Sequence, residues 1–266
     1  MEFSTLTKAR ISQVIDDQAT NNEAQNFNGL VKISCKTFSA ISQEGPQCGL
    51  VALAMAAPLL KQSPIPVSNI LRIAQENGWT KNGELFSAEW LLNLAFKLYN
   101  CRGSVLHHAF YNIQKILQLL SNENAAILVP YDCDKNFQPI SNKGHSAHWC
   151  ILNGFCAVFP SSTFETMQTS QKAEFDNRVI LLSDIEDKDL FLSRLFHQPD
   201  WDKKLFVFAY HGKSKHPGLW SYNELFKSNA NLMELGEARR NDGLEYVIPD
   251  EGIKGGLCDK IVVLEK

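Results

Sequence analysis

Hydrophobic and polar positions divide the chain into stretches of different character. Residues 1 to about 30 are polar, and 16–28 is rich in Asp, Asn, Gln and Glu. Such a stretch buries too little apolar surface to hold itself together. It is expected to be a loosely ordered lead-in that the fold tolerates losing. Within it, Ile11, Val14 and Ile15 are spaced to dock one helical turn. The globular part is expected to begin near Leu30-Val31-Lys32-Ile33 and to run as one domain over 31–266.

From Gln47 the chain reads Cys-Gly-Leu-Val-Ala-Leu-Ala-Met-Ala-Ala up to Pro58. Good helix formers with no polar face make a buried helix. Helical spacing, with a capping residue opening each run, predicts amphipathic helices over 68–77, 87–99 and 112–120. Runs rich in β-branched and aromatic residues predict strands over 125–130, 148–152, 155–159, 204–210, 245–248 and 260–264. Asn153-Gly154 between two of these reads as a two-residue hairpin turn, and 160–203 as a polar surface excursion. Helices first and strands afterwards give an α+β fold, with one helix buried against a mostly antiparallel sheet.

Composition narrows the class without changing that picture. At 44% hydrophobic and 21% charged residues, the chain is neither disordered nor a small disulfide scaffold. A net charge of −3 supplies no basic excess, so neither nucleic acid nor an anionic membrane is an expected partner. The longest uncharged apolar stretch, 48–60, falls well short of the roughly 20 residues that span a bilayer. Seven cysteines with no CxxC pair, and no signal-peptide layout at Met1, point to free thiols and a cytoplasmic location.

The sharpest chemical feature is Gln43-Glu44-Gly45-Pro46-Gln47-Cys48-Gly49-Leu50. It sets a cysteine in the first turn of the buried helix, where free N–H groups and the helix dipole favour a thiolate. A lowered thiol pKa is therefore expected, and with it a nucleophile for covalent catalysis. Gln43 is placed to return its amide to the same point and to form an oxyanion hole with the Cys48 N–H. His148, in Ser146-Ala147-His148-Trp149, opens an apolar strand and is the expected general base, with Trp149 beside it as a shield from water. His145 reads as a solvated loop histidine.

The string Gln-Glu-Gly-Pro-Gln-Cys-Gly-Leu-Val-Ala-Leu at 43–53, Ala-His-Trp at 147–149 and Gly-Leu-Cys-Asp-Lys-Ile-Val-Val-Leu at 256–264 resemble the actin maturation protease family. That family is similar to the papain-like bacteriocin-leader peptidases. The resemblance runs from about Thr37 to Leu264. It implies a papain-like cysteine protease that removes the acetylated N-terminal residue of new actin and needs no cofactor. Cys48 is then the nucleophile, His148 the base and Gln43 the oxyanion donor, although papain-type sites usually set the glutamine six residues before the cysteine, where Ser42 stands. Related chains carry a proline-rich arm associated with profilin; here the first proline is Pro46, so profilin is not an expected partner.

A papain-like site also needs a group to orient the imidazole. The strand at 155–159 offers no Asn or Asp, and the next one ends in His211, whose side chain or carbonyl is the candidate third member. Asp132-Cys133-Asp134 with His145, His148 and Cys150 matches no compact zinc pattern. His107-His108 reads as an exposed turn pair. Lys32, Lys36, Arg102, Lys143 and Arg239-Arg240 are the cations to examine near the cleft, since an acidic actin N-terminus would need local positive potential. The same dyad also serves endoproteolysis or acyl transfer, and a binding module would keep the shell without the chemistry.

Overall fold

The computed structural model describes residues 3–20, 26–33, 40–162 and 175–266, apart from 186, 189, 191 and 194–199. In chain order, α1 (Thr5–Thr20) precedes β1 (Phe27–Ile33), and α2 (Cys48–Ala56), α3 (Val67–Glu76) and α4 (Ala88–Leu98) follow. Next come β2 (Arg102–His107), α5 (Ile113–Ser121), β3 (Ala125–Cys133), β4 (Pro139–Ile140) and the long β5 (Ala147–Pro160). β6 (Val179–Leu181), β7 (Leu205–Tyr210), β8 (Gly218–Ser221), α6 (Tyr222–Asn229), α7 (Glu237–Arg240), α8 (Gly252–Leu257) and β9 (Lys260–Glu265) lie beyond it. The arrangement is α+β, and apart from the parallel β1–β6 pair the sheet is antiparallel.

The helices form where their local chemistry directs. Ser87 caps α4 by accepting from the Trp90 N–H, and Asn112 caps α5 by accepting from the Lys115 N–H. Every residue of α2 is buried. It packs on β5 through Trp149 and Ile151 and on β3 through Ala126 and Leu128. A fully buried Leu or Val contributes about 1.5–3 kcal/mol, so a helix of such residues is held by its packing rather than by propensity.

β5 organises the sheet. Its first half pairs with β3 from Ala147 to Leu152, and its second half pairs with β1 from Gly154 to Pro160. β7 pairs with it across both halves, and the register shifts between Leu152 and Gly154. Asn153-Gly154 is therefore a β-bulge inside one continuous strand, not the expected hairpin. The φ of +154° at Gly154 accommodates the extra residue. The bulge also resets the alternation. Before it, Cys150 and Leu152 face the core under α5 and α6; after it, Phe155, Ala157 and Phe159 do. Meanwhile Trp149 and Ile151 face α2, and Cys156 and Val158 face α1.

Two further expectations are corrected. Within the polar lead-in, Thr5–Thr20 forms a 16-residue helix, α1, whose Ile11 and Ile15 are fully buried against Val31, Cys156, Val158 and Phe208. Two well-spaced isoleucines suffice because β1 and β5 supply the apolar face they cover. Residues 245–248 form no strand: the Val247 N–H donates to the Glu84 carboxylate at 3.0 Å, and Asn82 donates to the Glu245 carbonyl at 2.7 Å. Side chains of the 80–84 loop take the place of a strand partner. Among the described residues no helix is long and apolar enough to cross a membrane.

Candidate active site

The Gly45-Pro46 turn, with Gly45 at φ +56°, delivers the chain into α2, and Cys48 is the helix's first residue. Gly49 matters next: a Cβ there would lie 3.1 Å from the Trp149 ring. With only hydrogen at that point, Trp149 closes on the helix start and donates its indole N–H to the Leu85 carbonyl at 2.8 Å. The backbone N–H groups of Trp149, Gly49 and Cys48 itself favour the Cys48 thiolate, as does Arg239. Burial outweighs them. Cys48 is 6% exposed, and desolvation holds its thiol above the ordinary value, a correction to the lowered pKa expected from the helix dipole alone.

His148 lies at the start of β5, directly before Trp149. Its ring is enclosed by Tyr131 at 5.7 Å, Phe137 at 5.3 Å and His211 at 6.2 Å between centroids. Its Nε2 lies 2.9 Å from the main-chain carbonyl oxygen of His211. A carbonyl can only accept, so Nε2 carries the proton and Nδ1 is left as the basic nitrogen. Burial lowers the His148 pKa to about 4, opposed by that hydrogen bond and reinforced by Arg239 and Lys213. At neutral pH the imidazole is uncharged.

His211 thus meets His148 through its backbone. Its own ring stacks on Phe137 at 5.3 Å and on Trp220 at 5.8 Å, and its buried Nδ1 has no partner among the described residues. Gly212 turns the chain out of β7 at φ +73°, where a Cβ would lie 2.9 Å from Val51 of α2. The Gly212 carbonyl accepts from the Gln43 N–H at 2.9 Å, and Lys213 Nζ donates to the Gln43 carbonyl at 3.2 Å. One strand end therefore holds both the imidazole and the loop that leads to Cys48. The Gln43 side chain donates to the Gly45 carbonyl at 2.6 Å, leaving its second amide hydrogen uncommitted, while its Oε1 is buried without a partner.

A small recess opens beside Cys48, lined among others by Pro46, Phe86, Ala147, Trp149 and Arg239. Of the cations singled out in the sequence, Arg239 faces this recess, and Lys36 lies outside the described residues. Asp132 has a role that its sequence neighbours obscured. Its carboxylate is fully buried and accepts from the N–H groups of Asn142, Gly144 and Ser146 at 2.9, 2.8 and 2.8 Å. It shapes the loop that feeds His148, and among the described residues no group of His, Cys, Asp and Glu could hold a metal. The one clue in the sequence was an acid followed by a glycine-containing loop just before the histidine. His145 pairs with Glu234 at 3.0 Å, and His108 pairs with Asp259.

A family model described as "Actin maturation protease-like, C-terminal domain" matches residues 38–156, from just before the cysteine block into the second half of β5, the histidine strand. The actin maturation protease of Xenopus tropicalis is 33% identical over 252 residues, covering 92% of this chain and 78% of that protein. The human protein so named is 32% identical over 246 residues, 86% of this chain and 64% of its own length. The one from Drosophila melanogaster is 31% identical over 226 residues, 84% of this chain and 67% of its own. The chain belongs to the actin maturation protease family.

Proposed function

We propose that the chain is a papain-like cysteine peptidase of the aminopeptidase type, and that it removes the N-acetylated first residue of immature actin. The observation that carries the mechanism is the bond from His148 Nε2–H to the His211 carbonyl, because it leaves Nδ1 free to take a proton. Cys48 Sγ attacks the carbonyl of the acetylated residue as His148 Nδ1 accepts the thiol proton. The Cys48 N–H and the uncommitted amide hydrogen of Gln43 meet the tetrahedral oxyanion. The intermediate collapses with transfer of the proton from His148 to the departing amine of residue two, leaving a thioester. Water deprotonated by His148 then releases the N-acetyl amino acid and restores the thiol.

The recess supports a capped substrate. An ordinary aminopeptidase holds the substrate's free ammonium, for which a spare carboxylate is suited. Glu84 also lines this recess, but its oxygens already accept from the N–H groups of Lys81, Asn82 and Val247. An acetylated, uncharged end fits such a surface better than an ammonium does.

The test is mass spectrometry of actin bearing an acetylated N-terminus, incubated with the chain or with Cys48→Ala. Loss of one N-acetyl amino acid with the first and none with the second is expected. Internal fragments would make it an endopeptidase, and intact actin in both would overturn the reading.

A further inference from the structure

Arg239 differs from its neighbouring arginine in how it is held. Arg240 pairs with Glu234 at 3.7 Å on the surface. Arg239 turns inward: its Nη2 donates to the Ala147 carbonyl at 2.9 Å, and its guanidinium lies 5.3 Å from the centre of the Phe86 ring. Those contacts fix the side chain at the recess beside Cys48, immediately before His148 in the strand. Its Nη1 is buried and has no partner among the described residues. A buried N–H without an acceptor is unfavourable, so the position is set up for an acceptor that arrives with a ligand.

The carboxylates nearby do not supply that acceptor. Glu84 is engaged by three backbone N–H groups, from Lys81, Asn82 and Val247. Asp242, which also senses the Arg239 charge, accepts from the Tyr246 hydroxyl and from the Leu244 N–H at 2.9 Å. The recess is otherwise largely apolar, with Pro46, Leu85, Phe86, Ala147, Trp149 and Leu257 around it. A cation in such walls attracts an anion more strongly than one in water.

We propose that Arg239 is a specificity-determining residue of this site, reading a carboxylate side chain on a substrate residue that flanks the scissile bond. A guanidinium anchored through one nitrogen and free at the other gives a charge-assisted hydrogen bond to that carboxylate. This inference rests on the peptidase reading, and its test separates the two.

The full chain is assayed on acetylated hexapeptides that carry Asp or Asn at position one, or Asp or Asn at position two. At one of these positions Asp is expected to raise kcat/KM by about 10- to 100-fold over Asn. That position identifies the side of the bond on which the carboxylate sits. Arg239→Gln should erase the preference while still cleaving the Asn peptides, and Arg239→Lys should keep a reduced one. Arg240→Gln removes the same charge outside the recess and should retain it in full. An undiminished preference in Arg239→Gln, or in Arg239→Lys should the first variant not fold, overturns the assignment and leaves the peptidase reading standing. A wild-type chain that cleaves none of the peptides overturns the reading beneath it.

Discussion

The His148 imidazole donates its Nε2–H to the main-chain carbonyl of His211, 2.9 Å away at the end of β7. The orienting acceptor is a peptide oxygen that every residue type possesses. The identity of the side chain at 211 is therefore separable from the orientation of His148, and the backbone conformation around it is not.

His211→Phe is accordingly expected to keep turnover within about threefold of wild type, since the carbonyl stays and a ring still stacks between Phe137 and Trp220. Gly212→Ala should do the greater damage. Its positive φ and the nearby Val51 methyl force the strand end to shift, costing about 1–2 kcal/mol of stability and moving the acceptor. Steady-state kinetics with urea unfolding checks both. A hundredfold loss in a folded His211→Phe would return the role to the side chain.

The Cys48 thiol and the His148 imidazole are each expected to rest uncharged. Burial holds the Cys48 thiol above its ordinary 9.0, and the His148 pKa is about 4, so neither group is ionised at pH 7. Iodoacetamide alkylation of Cys48 should then climb roughly tenfold per pH unit from 6 to 8, following the thiolate fraction. A flat rate across that range would indicate a preformed thiolate–imidazolium pair.

The same burial makes stability fall in acid. His148 and His211 each drop from an ordinary 6.5 to about 4 on folding, so the unfolded chain binds their protons more tightly. Their contribution is complete above pH 6.5 and is lost as the pH falls toward 4. Thermal unfolding measured at several pH values should show this decline. His211→Phe should make it shallower, and an unchanged slope would mean the second imidazole does not contribute.

Sequence legibility depended on how local the deciding interaction was. α2, α4 and α5 were readable because propensity and capping act within a few residues, and the place of Cys48 at a helix start was readable because a Gly-Pro turn directly precedes an apolar helical run. The orienting role at His211 was legible only as a position at a strand end; which atom acts depends on the turn at Gly212. Asn153-Gly154 misled because a hairpin turn and a bulge ask the same freedom of a glycine. Strand partners far along the chain, β1, β3 and β7, decide between them. The Arg239–Ala147 contact joins positions 92 residues apart, and no local pattern encodes it.

Docking of α1 has a direct mechanical consequence. Ile11→Ala should cost about 2–5 kcal/mol, because the cavity opens in a cluster with Val31, Val158 and Phe208 that has little room to collapse. Removing residues 1–20 should lower the melting temperature further by exposing Cys156 and Val158. A truncated chain as stable as the full one would mean that β1 and β5 hold without their cover.

Asp132 offers the last test, because it joins stability to chemistry through one loop. Its two oxygens accept three backbone N–H groups from Asn142, Gly144 and Ser146. The Ser228 hydroxyl ties its main chain in place, accepting from the Asp132 N–H and donating to the Asp132 carbonyl, both at 2.8 Å. Asp132→Ala would strand those loop N–H groups, some of them buried, at about 1–3 kcal/mol for each that water cannot reach. Asp132→Asn keeps the shape and one accepting oxygen, so it should fold with a smaller loss. The loop runs into Ala147 and His148, so its disorder should misplace the imidazole before it disturbs the recess. The expected signature in Asp132→Asn is a fall in kcat with KM nearly unchanged. A rise in KM alone would assign the loop to substrate binding, and wild-type kinetics in a destabilised variant would confine Asp132 to the fold.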